Sequence, residues 1–163
     1  AFSGNGYVNI QLYILDHFNW DNMWYGKSYV DLFYSWIPRS IFIDKPPIDE
    51  GIYIANLYLG DSFQPTTPAH SMVFYSWPPG TMGIGYINFH IIGIVLAYFI
   101  LGRIQKIIQL IFIEMNYAPF ILFLYTFIVI KFQLTNFYIF SAINYILLLI
   151  VFSFFCKLTV RNK

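Results

Sequence analysis

Three long apolar stretches dominate the C-terminal half of the chain, at residues 82–102, 117–134 and 137–156. As an α-helix, a run of about 20 apolar residues spans the hydrocarbon core of a bilayer, which is roughly 30 Å thick. Residues 103–116 instead place polar side chains on a broad arc opposite a row of isoleucines, the pattern of an interfacial helix. The chain is therefore predicted to form three transmembrane helices, one connecting amphipathic segment and a short tail, residues 157–163.

The first half of the chain, residues 1–81, follows a different pattern, in which short apolar stretches alternate with Gly, Pro and Asp. Apolar positions recur at helical spacing in residues 1–23 and again in residues 24–37, where an aromatic face lies opposite Lys, Ser and Asp positions. Pro38 ends the second stretch, and residues 52–59 predict another short helix. We therefore predict a large, aromatic-rich loop region with short helices ahead of the three spans.

Composition favours an all-α membrane protein. Of the 163 residues, 58% are hydrophobic and 10% are charged, whereas a soluble domain carries about a quarter charged residues. The single cysteine, Cys156, excludes an internal disulfide and a cysteine-based metal site. The chain starts at Ala1 without the basic-then-apolar pattern of a signal peptide. We expect it to be part of a larger polytopic bundle.

Charge divides the chain into two unlike parts. Residues 1–81 carry seven acidic and three basic residues, a net charge of −4, and residues 82–163 carry a net charge of +5. Five basic residues flank the predicted spans on one side, and only Lys131 flanks them on the other. The five are Arg103, Lys106, Lys157, Arg161 and Lys163. The positive-inside rule places the five in the cytoplasm, so that residues 1–81 and the short turn near Thr135 lie outside.

The segment from Trp36 to Pro47 is the first candidate for chemistry. It holds Arg39 and Lys45 between prolines, which favour a stiff and extended loop. Two cations on a stiff loop beside a membrane could receive an anionic head group. The alternative is a solvated turn with two surface charges, and spacing alone leaves both interpretations open.

The junction between the loop region and the first span, from Gly80 to His90, is the second candidate. Its glycines allow the backbone to approach a ligand or another helix closely. Tyr86 and Asn88, together with His90, place hydrogen-bonding groups in the first turns of a span, where such groups usually face the protein interior or a wet cavity. The alternative is helix packing through small residues.

Both segments resemble the oligosaccharide repeat-unit polymerases of the O-antigen polymerase type. Residues 37–46 read Ile-Pro-Arg-Ser-Ile-Phe-Ile-Asp-Lys-Pro, and residues 83–93 read Gly-Ile-Gly-Tyr-Ile-Asn-Phe-His-Ile-Ile-Gly. In that family a periplasmic loop carries the Ile-Pro-Arg and Lys-Pro signature, and a segment with glycine, tyrosine and Asn-Phe opens the next span. The resemblance covers residues 24–103 in motif. The chain departs from the family at residues 83–85, where a glutamate is common, and at His90, where a glycine is common.

The resemblance implies a multi-pass glycosyltransferase of the bacterial inner membrane, with residues 1–81 in the periplasm. Such an enzyme polymerises oligosaccharide repeat units carried on polyprenyl diphosphate into a surface polysaccharide such as O-antigen, and the chain would need no cofactor and no metal. Its implied partners are this lipid-linked oligosaccharide, the lipid bilayer, a chain-length regulator and a flippase. Arg39 and Lys45 would stabilise the departing diphosphate.

A base near the acceptor hydroxyl would complete the reaction. The candidates are His70, His90, Asp44, Asp49 and Glu50. Substrate contacts are expected from Tyr86, Asn88, Trp36 and Trp77. Position along the chain does not choose among the five candidate bases.

Three other functions fit parts of the pattern. A ligase for lipid-linked O-antigen would use the same donor, and a flippase or transporter would bind the diphosphate without chemistry. A non-catalytic fragment would do neither. The basic residues are scattered among the predicted spans, which argues against a nucleic-acid-binding surface.

Overall fold

The computed structural model describes residues 6–114 and 119–161, which form helices joined by ordered loops. The α-helices are α1 (Gly6–His17), α2 (Val30–Tyr34), α3 (Glu50–Tyr58), α4 (Gly80–Glu114), α5 (Pro119–Thr126) and α6 (Asn136–Arg161). Two short 3₁₀ turns and one π-helical turn complete the set, at Lys27–Tyr29, Ala69–Ser71 and Phe127–Lys131. Within these two ranges the chain forms no strand, and the all-α prediction is confirmed for them.

Local sequence sets several helix starts. Asp49 precedes α3, and its carboxylate accepts a hydrogen bond from the N–H of Gly51 at 2.9 Å, as an N-cap does. At the start of α4, Gly80 has a φ of 66°, in a region that favours glycine. The Gln11 side chain donates to the Pro79 carbonyl at 2.6 Å. This bond ties α1 to the entry of α4.

The stretch predicted as an aromatic-faced helix, residues 24–37, contains a 3₁₀ turn followed by α2. Its two faces separate as the periodicity predicts, but the polar face points inward. Ser28 and Asp31 are buried, whereas Phe33 is 78% exposed and Trp36 is 52% exposed. Because polar groups are costly to bury without partners, the inward face requires hydrogen bonds.

A first hydrophobic core joins α1, α3 and the start of α4. Its buried members are Ile10, Ile14, Phe18, Trp24, Ile52, Tyr53, Ile54, Met72, Ile84, Tyr86 and Ile87. Each large side chain of this kind contributes about 1.5–3 kcal/mol when it leaves water. The predicted loop region is therefore a packed unit with its own core.

α4 is broken at Phe89 and His90, whose backbone angles are not helical. We call Gly80–Asn88 the first arm and residues 91–114 the second arm. A methyl group added at Gly85 would lie 2.7 Å from the carbonyl oxygen of Gly93. In a straight helix, residues eight positions apart are separated by about 12 Å along the axis. The two arms therefore fold back against each other, with the two glycines at the crossing point.

The first arm shares the first core with α1 and α3, and we call residues 6–88 the N-terminal unit. The second arm projects away from this core. Nearly all residues of the first arm are buried. The second arm exposes a set of apolar side chains, Ile91, Ile92, Val95, Leu96, Tyr98, Phe99 and Ile100. The span predicted over residues 82–102 is therefore interrupted at Phe89 and His90. The helix also continues past residue 102 and ends at Glu114.

Among the described residues, α4 is the one helix that is long and apolar enough to cross a membrane. At about 1.5 Å per residue its second arm alone is roughly 36 Å long, which exceeds the thickness of a hydrocarbon core. The apolar stretches Leu122–Lys131 and Asn136–Phe152 are shorter. The predicted start of the second span at residue 117, as well as Lys163, lies outside the described residues.

A second hydrophobic core joins the second arm of α4 to α5 and α6. Its buried members are Ala97, Leu124, Ile128, Phe132, Leu134 and Ala142. The turn before α6 also contacts the N-terminal unit, because the N–H of Leu134 donates to the Thr81 hydroxyl at 3.2 Å and the Tyr29 hydroxyl donates to the Leu134 carbonyl at 3.3 Å. These bonds require the turn and the N-terminal unit to lie on the same side of any membrane that the helices cross.

Candidate functional site

The two cations of the proline-flanked loop have different surroundings. The Lys45 ammonium donates hydrogen bonds to the carbonyls of Ser35 and Ile37, both at 2.9 Å, and the side chain is only 7% exposed. The Lys45 carbonyl accepts from the N–H of Ala69 at 3.2 Å. Arg39 is exposed. Lys45 thus holds the loop in place, and Arg39 is the member of the pair that solvent and solutes can reach.

The pKa of Lys45 is lowered by its surroundings. Burial lowers this pKa from its usual value, and the nearby Arg39 guanidinium lowers it further. The two positive charges are therefore close enough to repel each other. An anion bound beside Arg39 would also relieve this repulsion.

Two of the five candidate bases lie on the surface. His70 Nδ1 and Asp44 Oδ1 are 3.7 Å apart, and both side chains are largely exposed. An exposed pair of this kind contributes little to stability, because solvent screens it. Neither residue lines a described cavity of the N-terminal unit.

Asp49 lies in a small pocket. The pocket measures about 170 Å³ and is bounded by the start of α3, the segment before α4 and the start of α6. Thr135, Phe137 and Tyr138 line it together with Asp49. Asp49 thus lies at a concave surface, while one oxygen of its carboxylate caps α3.

Glu50, the next residue, is fully buried. Its Oε1 accepts a hydrogen bond from the N–H of Asn136 at 2.8 Å, and its Oε2 has no partner among the described residues. Burial raises the pKa of Glu50 to about 8, against the lowering effect of the Asn136 bond. Asn136 donates from Nδ2 to the Ser28 carbonyl at 2.5 Å, and its Oδ1 has no partner either. Glu50 therefore joins the two halves of the molecule and has no route to a solute.

Asp31 is a second buried carboxyl group, and sequence reasoning did not single it out. It accepts from the Tyr53 hydroxyl at 2.7 Å and from the N–H of Thr66 at 3.1 Å. Burial raises the pKa of Asp31 to about 6, while both hydrogen bonds lower it. The carboxylate connects α2, α3 and the loop that contains Thr66, so its role in this structure is to hold three segments together.

The first arm of α4 uses Asn88 for a similar purpose. Asn88 is 1% exposed, and its side chain exchanges hydrogen bonds with Ser28, accepts from the N–H of Gly26 at 2.8 Å and donates to the Ile84 carbonyl at 2.9 Å. Its hydrogen-bonding capacity is used inside the protein. Tyr86, also predicted to contact substrate, is buried in the first core.

His90 lies at the break in α4. Its Nε2 is 2.9 Å from the Tyr86 hydroxyl, and its ring stacks on Trp20 with ring centroids 4.8 Å apart. Its φ of 57° is uncommon for a residue with a side chain. The ring contacts on both sides stabilise this backbone conformation, so His90 is part of the bend.

The two predicted tryptophans lie in different places. Trp36 contacts Phe140 edge-on, with ring centroids 5.3 Å apart, one turn along α6 from Phe137. Because Phe137 lines the Asp49 pocket, the Arg39 loop and this pocket both lie near the start of α6. Trp77 lines a larger cleft of about 750 Å³ between α1 and the end of α3. Ser76 borders both cavities, so that the cleft and the Asp49 pocket are neighbours.

Several residues of these sites carry no sequence signal of their own. Ser28 and Asn136 meet across 108 positions, which no local pattern reveals. Asp31 could have been found, because Ser28, Asp31 and Ser35 share a helical face, but periodicity does not say which face is buried.

Within the described ranges, His, Cys, Asp and Glu side chains form no group of three that could hold a metal ion. Comparison of the chain with protein-family models, with curated proteins and with solved structures finds no match.

Proposed function

We propose that the chain belongs to a membrane glycosyltransferase that joins polyprenyl-diphosphate-linked oligosaccharide repeat units into surface polysaccharide. The site would lie at the outer face of a bacterial inner membrane, where the N-terminal unit meets the apolar helices α4, α5 and α6. One observation carries this proposal. The loop of Arg39 and the pocket of Asp49 lie near the same helix start, on the unit that meets the exposed apolar helices.

The reaction needs a cation at the leaving group and a base at the acceptor. The acceptor hydroxyl oxygen attacks the anomeric carbon of the donor sugar, and the bond from that carbon to the diphosphate oxygen breaks. The electron pair leaves with the diphosphate, whose charge Arg39 stabilises through its planar fork of donors. The hydroxyl proton passes to a carboxylate.

Asp49 is the candidate base that we favour for this step. It is the one of the five candidates that lies in a described cavity beside a second, larger cleft. Glu50 is sealed from solvent, His90 is engaged at the helix break, and the Asp44–His70 pair is open to water. Lys45 acts as a positioning residue, because its ammonium holds the loop that presents Arg39.

The length of the surface polysaccharide tests this proposal in cells that carry the native gene. Arg39→Ala should reduce the polysaccharide to single repeat units, while lipid-linked units still reach the outer face. Lys27→Ala is the matched control, because Lys27 is also an exposed cation of the N-terminal unit, and it should leave chain length unchanged. Normal chain length in Arg39→Ala would contradict the proposal, and loss of all exported units would indicate a flippase instead.

A further inference from the structure

The cleft that contains Trp77 has a chemical character of its own. It measures about 750 Å³, a volume in the range of ligand-binding pockets. Four aromatic side chains line it, contributed by α1, by the end of α3 and by the segment before α4: Tyr13, Tyr58, Tyr75 and Trp77. Three separate segments of the chain therefore contribute to the cleft.

The aromatic rings are held at fixed angles to one another. Tyr58 and Trp77 have centroids 4.3 Å apart at 48°, and Tyr13 meets Tyr58 edge-on at 5.3 Å. The backbone N–H of Trp77 donates to the Gly51 carbonyl at 2.9 Å. A methyl group at Gly51 would also lie 2.8 Å from the Trp77 carbonyl, so that this segment packs tightly on α3. The rings are therefore preorganised and offer faces in more than one plane.

Polar groups at the cleft are free to bind a ligand. Asp16, Asn9 and Ser76 line it, and no hydrogen bond joins the side chain of Asp16 or Asn9 to another described residue. Asp16 carries the one formal charge among the described lining residues. A cleft that offers a carboxylate and no cation disfavours anions, so it is unsuited to a phosphate group.

A sugar matches this combination of groups. A pyranose ring has C–H groups on its faces, which the negative face of an aromatic ring attracts, and hydroxyls around its edge. Carboxylate and carboxamide groups accept strong hydrogen bonds from those hydroxyls. We propose that the cleft lined by Trp77, Tyr75 and Asp16 binds uncharged sugar residues of the oligosaccharide. This inference rests on the proposed function and deepens it, since it separates the sugar site from the diphosphate site at Arg39.

Binding of a free oligosaccharide tests the cleft without any transfer reaction. The probe is the neutral oligosaccharide released by mild acid from the surface polysaccharide of the strain that carries the gene. The native protein, in a detergent without a sugar headgroup, is titrated with the probe by calorimetry. Tyr75→Ala should weaken binding about tenfold and Asp16→Asn about fivefold, because each removes one of the proposed contacts. Both side chains are exposed, so both variants should fold as the native protein does.

Phe74→Ala is the matched control, because Phe74 is an exposed aromatic residue next to Tyr75 that does not line the cleft. Its affinity should stay within twofold of the native value. An oligosaccharide that carries uronic acids should bind more weakly than the neutral probe. Absence of binding, equal affinity in Tyr75→Ala, or preference for the acidic oligosaccharide would each overturn the proposal.

The Arg39→Ala variant distinguishes sugar binding in the cleft from the polymerase reaction. It should bind the free neutral oligosaccharide as the native protein does, because the probe has no diphosphate. Tyr75-dependent binding combined with normal polysaccharide length in Arg39→Ala would support the cleft and contradict the polymerase. Short polysaccharide in Arg39→Ala combined with no binding of the probe would support the polymerase and contradict the cleft.

Discussion

The backbone N–H of Asn136 donates a 2.8 Å hydrogen bond to Oε1 of Glu50, although the two residues lie 86 positions apart in the chain. This bond connects the start of α3 to the start of α6 and so joins the N-terminal unit to the last helix. The other carboxyl oxygen of Glu50 has no partner among the described residues. A buried carboxyl group in this setting is more stable when protonated.

The stability of the protein should therefore fall as pH rises through the pKa of Glu50. The folded state raises this pKa from 4.5 to about 8, so between these values the folded protein binds more protons than the unfolded chain. By linkage, the free energy of unfolding decreases with pH across this window, by up to about 2 kcal/mol between pH 6.5 and 8. The melting temperature in detergent, measured over that range, should decline.

Glu50→Gln is the matching variant. The amide keeps an oxygen for the Asn136 N–H and offers donors where the carboxyl proton would be. Its melting temperature should vary much less with pH over this range. Asp31 also has a raised pKa, but its value of about 6 places its effect mostly below pH 6.5. An equally steep decline in Glu50→Gln would show that another group causes the pH dependence.

Lys45 and Arg39 should differ in their effect on stability. Lys45→Met removes the donor that two backbone carbonyls share, which costs about 1–3 kcal/mol when the carbonyls lose their partner. Arg39→Ala changes an exposed side chain and should alter stability by no more than about 0.5 kcal/mol. Thermal unfolding of both variants beside the native protein measures the difference. If Lys45→Met melts at the native temperature, Lys45 does not hold the loop.

The bend in α4 predicts a contrast between two glycines of one helix. An added methyl group at Gly93 would collide with the Gly85 carbonyl and lie 2.9 Å from the Cβ of Phe89, whereas at Gly102 nothing lies within 4 Å. Gly93→Ala should therefore destabilise the protein, and Gly102→Ala should stabilise it by up to about 1 kcal/mol through helix propensity. Thermal unfolding compares the two, and a Gly93→Ala protein as stable as Gly102→Ala would mean that α4 is not bent at this point.

The helices can be predicted from the sequence because their causes are local. Periodicity marked α1 and the stretch around α2, and α3 lies where residues 52–59 predicted a helix. The break in α4 could not be predicted, because the apolar residues continue without interruption on both sides of His90. The change in helix direction depends on the contact between Gly85 and Gly93. The residues of the Asp49 pocket and of the cleft could be predicted only in part, because packing between distant segments brings them together. Asp49 and Trp77 carried a signal, whereas Asp16 and Tyr13 join their cleft through packing across about 60 positions.

The proposed orientation has its own measurement. Gln64 is exposed in the N-terminal unit, and Gln64→Cys in a Cys156→Ser background would carry the single thiol. A membrane-impermeant thiol reagent should label it in intact spheroplasts, because residues 1–81 are proposed to lie in the periplasm. The background protein without the new cysteine controls for other labelling. Labelling that requires lysis of the cells would reverse the orientation.

Glycosyl transfer by the purified protein measures the proposed polymerase activity itself. The native full chain in proteoliposomes would receive repeat units on radiolabelled polyprenyl diphosphate, and products would be separated by size. We predict lipid-linked chains of two or more units. One polyprenyl diphosphate should be released for each glycosidic bond formed. Arg39→Ala should lower the rate at least about a hundredfold, as expected when one donor to the departing charge is removed. Native protein that only moves the unmodified lipid across the bilayer would contradict the proposed polymerase activity. Elongation at the native rate by Arg39→Ala would contradict the role of Arg39 at the leaving group.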